Sequence, residues 1–291
     1  MNMRMSVVIA TKDRAGYVER VLTSLALQEN APSFEVIVVD NASTDNTKAV
    51  VEAFISHAPM PVQYCYESEP NRGKARNAGI ALATGYIVVF CDDDVLLPEN
   101  FLAAHEAAHI SSNLVVNGPI INVASYNDRP KPAVGNYSRA FLCTCNVSVP
   151  RHSLEAVGGF DEAFHLYGWE DTELGVRLRE AGMRWKFAWD AFLWHIKPPS
   201  ENTLEVETRK VLERARMARR FLDKQPSGRV RAATGAHPIN LLRGKLIPEP
   251  MLAVFAGIAT SDRAPGAVRA FARSQFLDGM YTRELIRALD E

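Results

Sequence analysis

The chain has 291 residues, 47% hydrophobic and 23% charged, with a formal net charge of -1. These are ordinary values for a soluble globular protein of one large or two small domains, with no global field for nucleic acid or an acidic membrane. The 4 cysteines, Cys65, Cys91, Cys143 and Cys145, make neither a disulfide framework nor a paired CxxC zinc pattern, so a reduced, cytoplasmic setting is expected.

Three strand-then-helix units open the chain. Residues 5–10 (MSVVIA) read as a strand, and Val18, Val21, Leu22 and Leu25 follow at helical spacing. Residues 34–39 form a second strand, after which Ser43 and Thr44 are candidate caps for a helix through Val50, Val51 and Phe54. Residues 62–66 give a third strand, leading to a helix over about 73–83. Such alternation predicts a parallel sheet with right-handed crossovers. The apolar run after Met5 is too short for a signal-peptide core, and no stretch reaches transmembrane length. No GxGxxG or GxxxxGK[ST] follows the first strand, so neither a dinucleotide fingerprint nor a P-loop is indicated.

The fourth strand carries the strongest signal. Residues 86–91 (YIVVFC) run straight into Asp92, Asp93 and Asp94. A short β-branched and aromatic run reads as a buried strand, and ligands of open α/β sheets bind outside the carboxyl ends of strands. Three adjacent carboxylates repel one another and are tolerated in a cleft mainly around a cation, for which hard oxygen ligands suit Mg²⁺ or Mn²⁺. The plainer explanation is an acidic turn before the helix after Pro98. Polar groups also follow the other strands: Thr11, Lys12, Asp13 and Arg14; Asp40 to Asp45; and Asn71 to Asn77. Each could be loop chemistry alone. Together they line one sheet edge with anions for a metal and cations for phosphates.

Beyond Val115 the pattern loosens. Residues 141–149 alternate like an antiparallel or edge strand, and residues 185–189 form another. Between them Gly158-Gly159-Phe160-Asp161-Glu162 leads to Trp169-Glu170-Asp171-Thr172-Glu173, which opens a helix with Leu174, Leu178 and Ala181 on its apolar stripe. Capping explains Glu173. It explains Glu170 and Asp171 less well, because Trp169 beside them is expected to lower the local dielectric and make a carboxylate a better base.

In their order, the segments 6–11 (SVVIAT), 39–45 (VDNASTD), 73–77 (GKARN) and 91–94 (CDDD) resemble the family 2 glycosyltransferases. The segment from Gly159 through Asp171 resembles the acceptor-side motif of the galactosyl- and N-acetylhexosaminyltransferase branch. The resemblance covers roughly residues 5 to 200. It implies a GT-A fold (an α/β, Rossmann-like nucleotide-binding sheet with helices on both faces), a nucleotide-diphosphate-sugar donor, Mn²⁺ or Mg²⁺ as cofactor, and an inverting transfer. It also implies roles. Ala10, Thr11, Arg14 and Asp40 belong to the nucleotide site, with Asp40 accepting a uracil N–H if the donor is a UDP-sugar. Arg76 faces the diphosphate or ribose, although the short third motif leaves Lys74 as an alternative. Asp92 and Asp94 match the metal positions, with Asp93 near ribose or sugar, and Asp171 matches the general base with Glu170 orienting a substrate. His195 matches a downstream histidine that completes the metal shell; a core histidine is the competing account. The acceptor is expected to be a hydroxyl of a glycan, a glycolipid or another small molecule, recognised through loops at about 125–141 and the C-terminal helices.

Other readings compete with this one. His105-Glu106-Ala107-Ala108-His109 fits the HExxH pattern of zinc peptidases, but it lies on the helix after the acidic strand, where a solvated face explains it and no third ligand follows. A non-catalytic sugar-nucleotide-binding protein on the same fold is the other alternative, disfavoured because both metal carboxylates and base survive. Residues 1–200 are assigned to the GT-A domain and 201–291 to a helical extension, interrupted at Pro226-Ser227-Gly228 and around Pro248 and Pro250. Its dense cations, among them Arg209, Lys210, Arg214, Arg216, Arg219, Arg220 and Lys224, are expected on the wet face of an amphipathic helix. The functional alternative is peripheral contact with anionic lipid at the inner membrane face, useful for a lipid-linked acceptor. No nucleic-acid module is visible.

Overall fold

A computed structural model of the chain describes residues 3–198, 200 and 203–290. Backbone packing divides the chain into two units, one comprising Met1–His165 and Glu170–Pro198, the other Leu166–Trp169 and Pro199–Glu291.

The first unit is built on strands β1 (Met5–Thr11), β2 (Phe34–Asn41), β3 (Val62–Glu67), β4 (Ile87–Cys91), β6 (Leu114–Asn117), β8 (Asn146–Pro150) and β9 (Arg184–Phe187), in the order β3-β2-β1-β4-β8-β6-β9. β3, β2, β1 and β4 run parallel, as the alternating sequence pattern requires. β8 runs antiparallel to both neighbours, β4 and β6. It is an interior strand, and of the alternating run 141–149 only residues 146–149 pair, with Pro150 added at the end; residues 141–145 are loop. A small second sheet has the order β5-β10-β7, from β5 (Val95–Leu96), β7 (Ile120–Val123) and β10 (Leu193–Ile196).

Alternate strand residues face opposite sides. Val7, Ile9, Val36, Val38 and Val89 pack on one face against α1 (Ala15–Ala26), α2 (Thr47–Ile55) and α4 (Phe101–Ala108). Val8, Ile37, Val39, Val88 and Phe90 pack on the other against α3 (Arg72–Leu82), α5 (Arg151–Ala156) and α6 (Glu170–Glu180). Both faces are therefore covered, which is why the parallel strands read as continuous apolar runs. Two local expectations change. α2 starts after Asn46, whose side chain makes no cap bond; neither Ser43 nor Thr44 caps it, because the Ser43 hydroxyl accepts from Asp13 N and the Thr44 hydroxyl donates to Asp13 Oδ1. Ala181 lies past the end of α6 and is exposed.

The second unit contains α7 (Leu204–Lys224), α8 (Gly228–Ala233), α9 (Pro238–Leu246), α10 (Glu249–Ala259) and α11 (Gly266–Asp290). Pro250 sits in the first turn of α10, where its missing N–H costs no helical bond. Cations of α7 are held within this unit: Arg216 pairs with Glu284, and Arg219 with Asp223 at 2.8 Å and the Leu289 carbonyl at 3.0 Å. Among the described residues no helix is long and apolar enough to cross a membrane.

Candidate functional site

β2 and β3 follow β1 on one side of the sheet, whereas β4 lies on the other, so the strand order reverses between β1 and β4. At such a switch point the loops leaving neighbouring strands part and open a crevice. Thr11 and Arg14 come from one lip and Asp92, Asp93 and Asp94 from the other.

The three aspartates have different surroundings. Asp93 is 4% exposed and accepts from Thr11 Oγ1 at 2.7 Å and Arg14 Nη1 at 2.9 Å. Burial pushes its carboxyl up to about 6 despite the Arg14 charge. Arg14 Nη1 also reaches Asp94 Oδ2 at 2.9 Å, so one guanidinium ties the two carboxylates together. Burial pulls Asp94 upward as well, but His195 and Arg14 beside it hold its carboxyl at about 2. Asp92 is the most open of the three, with a third of its side chain exposed.

Two strand pairings complete the rim. β10 runs antiparallel to β5 with His195 opposite Val95, and Ile196 N–H donates to the Asp94 carbonyl at 2.8 Å. This puts His195 Nε2 3.0 Å from Asp94 Oδ1, a buried oxygen. β8 runs antiparallel to β4 with Asn146 opposite Cys91, so Cys145 stands across from Asp92. An Asp92 oxygen, Cys145 Sγ and a His195 ring nitrogen lie within 4.8 Å of one another. A carboxylate, a thiol and an imidazole whose ligand atoms converge on one point, with the Asp94 carboxylate beside them, are a donor set that fits a divalent cation.

Arg76 links this rim to the second carboxylate pair. From the first turns of α3 it places Nη2 3.6 Å from Asp92 Oδ1 and Nη1 3.4 Å from Glu170 Oε1, over the Phe160 ring. Lys74 is engaged elsewhere, with Glu67 at 3.1 Å and Glu69 at 2.9 Å. Glu170 and Asp171 open α6, where the helix dipole favours anions. Asp171 accepts from Thr172 N at 2.7 Å; burial and the Glu170 charge push its carboxyl up to about 6 against the pull of Arg76. Glu170 is buried and its Oε2 accepts no hydrogen bond. Trp169 belongs to the helical unit, where its indole N–H donates to the Arg214 carbonyl at 2.8 Å. Glu173 has a structural task, a two-bond pair with Arg177 at 2.8 and 2.6 Å.

Asp40, at the end of β2, is buried, accepting from Ser43 N and Tyr64 Oη, both at 2.8 Å. Each oxygen keeps a second lone pair. Ala42 beside it is left-handed (φ 62°), a conformation that costs a residue with Cβ about 1–2 kcal/mol. Ala10 is partly buried and packs against the α3 side of the core.

The HExxH segment is not a solvated face. His105 is fully buried, with Nδ1 2.8 Å from Ser148 Oγ and Nε2 3.0 Å from Asn146 Oδ1. His109 Nε2 lies 2.7 Å from the same hydroxyl, and Glu106 pairs with Arg4 at 3.0 Å. Both ring nitrogens of His105 are thus committed within the fold. A cleft of about 1120 Å³ on the side of α1, lined among others by Arg20, Tyr126, Arg129 and Trp194, holds none of the acidic rim.

Sequence reading missed Cys143, Cys145 and Tyr64. Cys143 feels Asp171 and Asp92, and burial pushes its thiol up to about 12. The only local signal was the unusual Cys143-Thr144-Cys145-Asn146 run; its place opposite Asp92 depends on a pairing between strands more than fifty residues apart in sequence.

A mixed sheet whose switch point carries an acidic rim, with a helix opened by two further carboxylates beside it, is the architecture of an α/β protein of the GT-A type. Residues 6–160 match glycosyl transferase family 2, and residues 131–198 match the N-terminal domain of galactosyltransferase. The chain belongs to glycosyl transferase family 2. It is 29% identical over 265 residues to a validoxylamine A glucosyltransferase of Streptomyces hygroscopicus subsp. limoneus, with 77% of this chain and 57% of that protein covered. The fold is shared with a Pyrobaculum calidifontis mannosyltransferase in complex with GDP-Man and Mn²⁺ (TM-score 0.64, 20% identity, 97% of this chain and 86% of that one). It is shared also with S. aureus TarS residues 1–349 in complex with UDP-GlcNAc (TM-score 0.59, 21% identity, 98% and 92%).

Proposed function

We propose that this protein is a metal-dependent, inverting glycosyltransferase that moves a hexosyl unit from a nucleotide-diphosphate sugar, a UDP-sugar in the first instance, to an acceptor hydroxyl. The observation that carries the proposal is that Arg76 reaches both the acidic rim, at Asp92 (3.6 Å), and the Glu170–Asp171 pair, at Glu170 (3.4 Å), so the two sets of carboxyls share one crevice. Asp171 is pushed up to about 6 and Asp94 held at about 2. Carboxyls whose surroundings drive them apart divide the labour of a site: one takes a proton near neutral pH, the other stays charged.

Asp40 accepts from the base. Arg14 stays cationic between Asp93 and Asp94 and keeps the rim rigid. Thr11 spends its hydroxyl on Asp93, so its contribution to the nucleotide is through the backbone at the β1 end. Asp92, Asp94 and His195 hold Mn²⁺ or Mg²⁺. Bound there, the cation supplies charge to offset that developing on the leaving diphosphate. Arg76, between Asp92 and Glu170, faces the same diphosphate. Asp171 removes the acceptor hydroxyl's proton while that oxygen attacks the anomeric carbon from the face opposite the diphosphate. Glu170, with its unpartnered Oε2, accepts from a sugar hydroxyl and orients it. A single in-line displacement inverts the anomeric centre, giving a β-linked product from an α-linked donor.

Thermal-shift screening of nucleotide sugars with and without Mn²⁺, followed by NMR of the product, tests this. Stabilisation by one donor should grow with its concentration by mass action, and the product should have inverted configuration. Retention of configuration, or turnover that survives complete chelation of divalent ions, overturns the mechanism.

A further inference from the structure

The cation position has a neighbour that a hard-metal site does not need. Cys145 Sγ stands within 4.8 Å of both the Asp92 oxygen and the His195 nitrogen. It is 7% exposed. The placement is built in: the register of β8 on β4 sets Cys145 one residue beyond the Cys91–Asn146 pair, across from Asp92. Asn146 in turn is fully buried and clamped, its amide donating to the carbonyls of Pro119 at 3.0 Å and Ala191 at 2.9 Å. Asp94 belongs to the same cluster, its Oδ1 lying 3.0 Å from His195 Nε2.

We infer that Cys145 Sγ is a further protein ligand of the cation held by Asp92, Asp94 and His195, and that it biases the centre toward thiophilic divalent ions over Mg²⁺. On binding, the S–H bond is broken, its proton leaves to solvent, and the sulfur lone pair forms the metal–sulfur bond; no electron transfer is involved. Thiolate is a soft donor, whereas Mg²⁺ accepts oxygen almost exclusively. A site with two carboxylates, an imidazole and a thiolate thus favours Mn²⁺, Co²⁺, Zn²⁺ and Cd²⁺ in rising order of sulfur preference. This inference rests on the metal site proposed above and adds to it the identity of one donor atom.

Cobalt reports directly on that atom. The full-length protein, stripped of metal, is titrated with Co²⁺ and followed by absorption. Visible d–d bands show that the ion is bound, and a near-ultraviolet thiolate-to-cobalt band shows that sulfur is bonded to it. Both are expected in the wild type. In Cys145→Ser the visible bands should remain and the ultraviolet band vanish, while Cys143→Ser keeps both. The ratio of Cd²⁺ to Mg²⁺ affinity, from calorimetric titration, should fall by about tenfold or more in C145S. Visible bands without the ultraviolet band in the wild type overturn the role of Cys145 and leave the metal site standing, and so does an ultraviolet band lost in C143S instead. Absence of both bands refutes the metal site itself and the inference with it. The wild-type spectrum alone decides whether sulfur is bonded to the ion, and the visible bands of each serine variant show that it is folded and loaded before its ultraviolet band assigns which sulfur.

Discussion

The sharpest consequence of the site is the behaviour of Asp171→Asn. Asparagine keeps the oxygen that accepts from Thr172 N at 2.7 Å, so the start of α6 is retained. It removes the charge that repels Glu170, and nothing in the donor crevice is altered. Donor binding should therefore be unchanged. Turnover should fall by about two to four orders of magnitude, the worth of a positioned base, equivalent to about 3–5 kcal/mol of transition-state stabilisation. The pH profile is the more demanding readout. With the carboxyl near 6, about nine-tenths of the wild type is competent at pH 7 and about one-tenth at pH 5, so kcat/KM should drop roughly tenfold per pH unit below 6. In Asp171→Asn that acid limb should disappear along with the activity. Stability runs the opposite way: a carboxyl raised in the folded state favours the neutral form, so ionisation weakens the fold as pH rises from 3.8 through about 6. The variant should melt no lower than wild type at pH 7.5. Steady-state kinetics across pH 4.5–8.5, with calorimetry for donor affinity, measure all of this. Turnover like the wild type, or an acid limb that persists in the variant, removes Asp171 from the role.

Arg76→Met deletes the cation that lowers Asp171; the acid limb of kcat/KM should move up by about one pH unit or more, and a stationary limb in a folded variant contradicts the electrostatic link. Ser148→Ala leaves His105 Nδ1 and His109 Nε2 without their shared hydroxyl, and should cost about 1–3 kcal/mol in chemical denaturation. The same histidines, held down to about 4 and about 3 chiefly by burial, stay neutral in the fold. Stability should be full above pH 6.5 and decline as pH falls toward 3, a slope that His105→Gln should flatten. Gly118→Ala drives a new methyl into the Ala191 carbonyl; overpacking of about 1–3 kcal/mol should appear as a lower melting temperature, and an unchanged one contradicts the close approach of that turn.

How much was legible beforehand depended on range. Apolar periodicity located β1, β2, β3 and β4 and the helices between them because each segment signals its own burial locally. The acidic strand end, the anions opening α6 and the ordered motifs were visible for the same reason, being contiguous runs of residues. What stayed hidden was everything set by pairing between distant segments. His105 reads like a polar residue on a wet helix, yet it is core because Asn146 and Ser148 on β8 supply its partners. The run 141–149 announces a strand but not that it inserts antiparallel between β4 and β6. His195 meets Asp94 only through the β5–β10 register, and Cys145 meets Asp92 only through β4–β8. Local sequence thus determined which residues could do chemistry and on which element they ride. Tertiary structure decided which of them stand within reach of one another, because register is a property of two strands together and a single strand's sequence cannot express it.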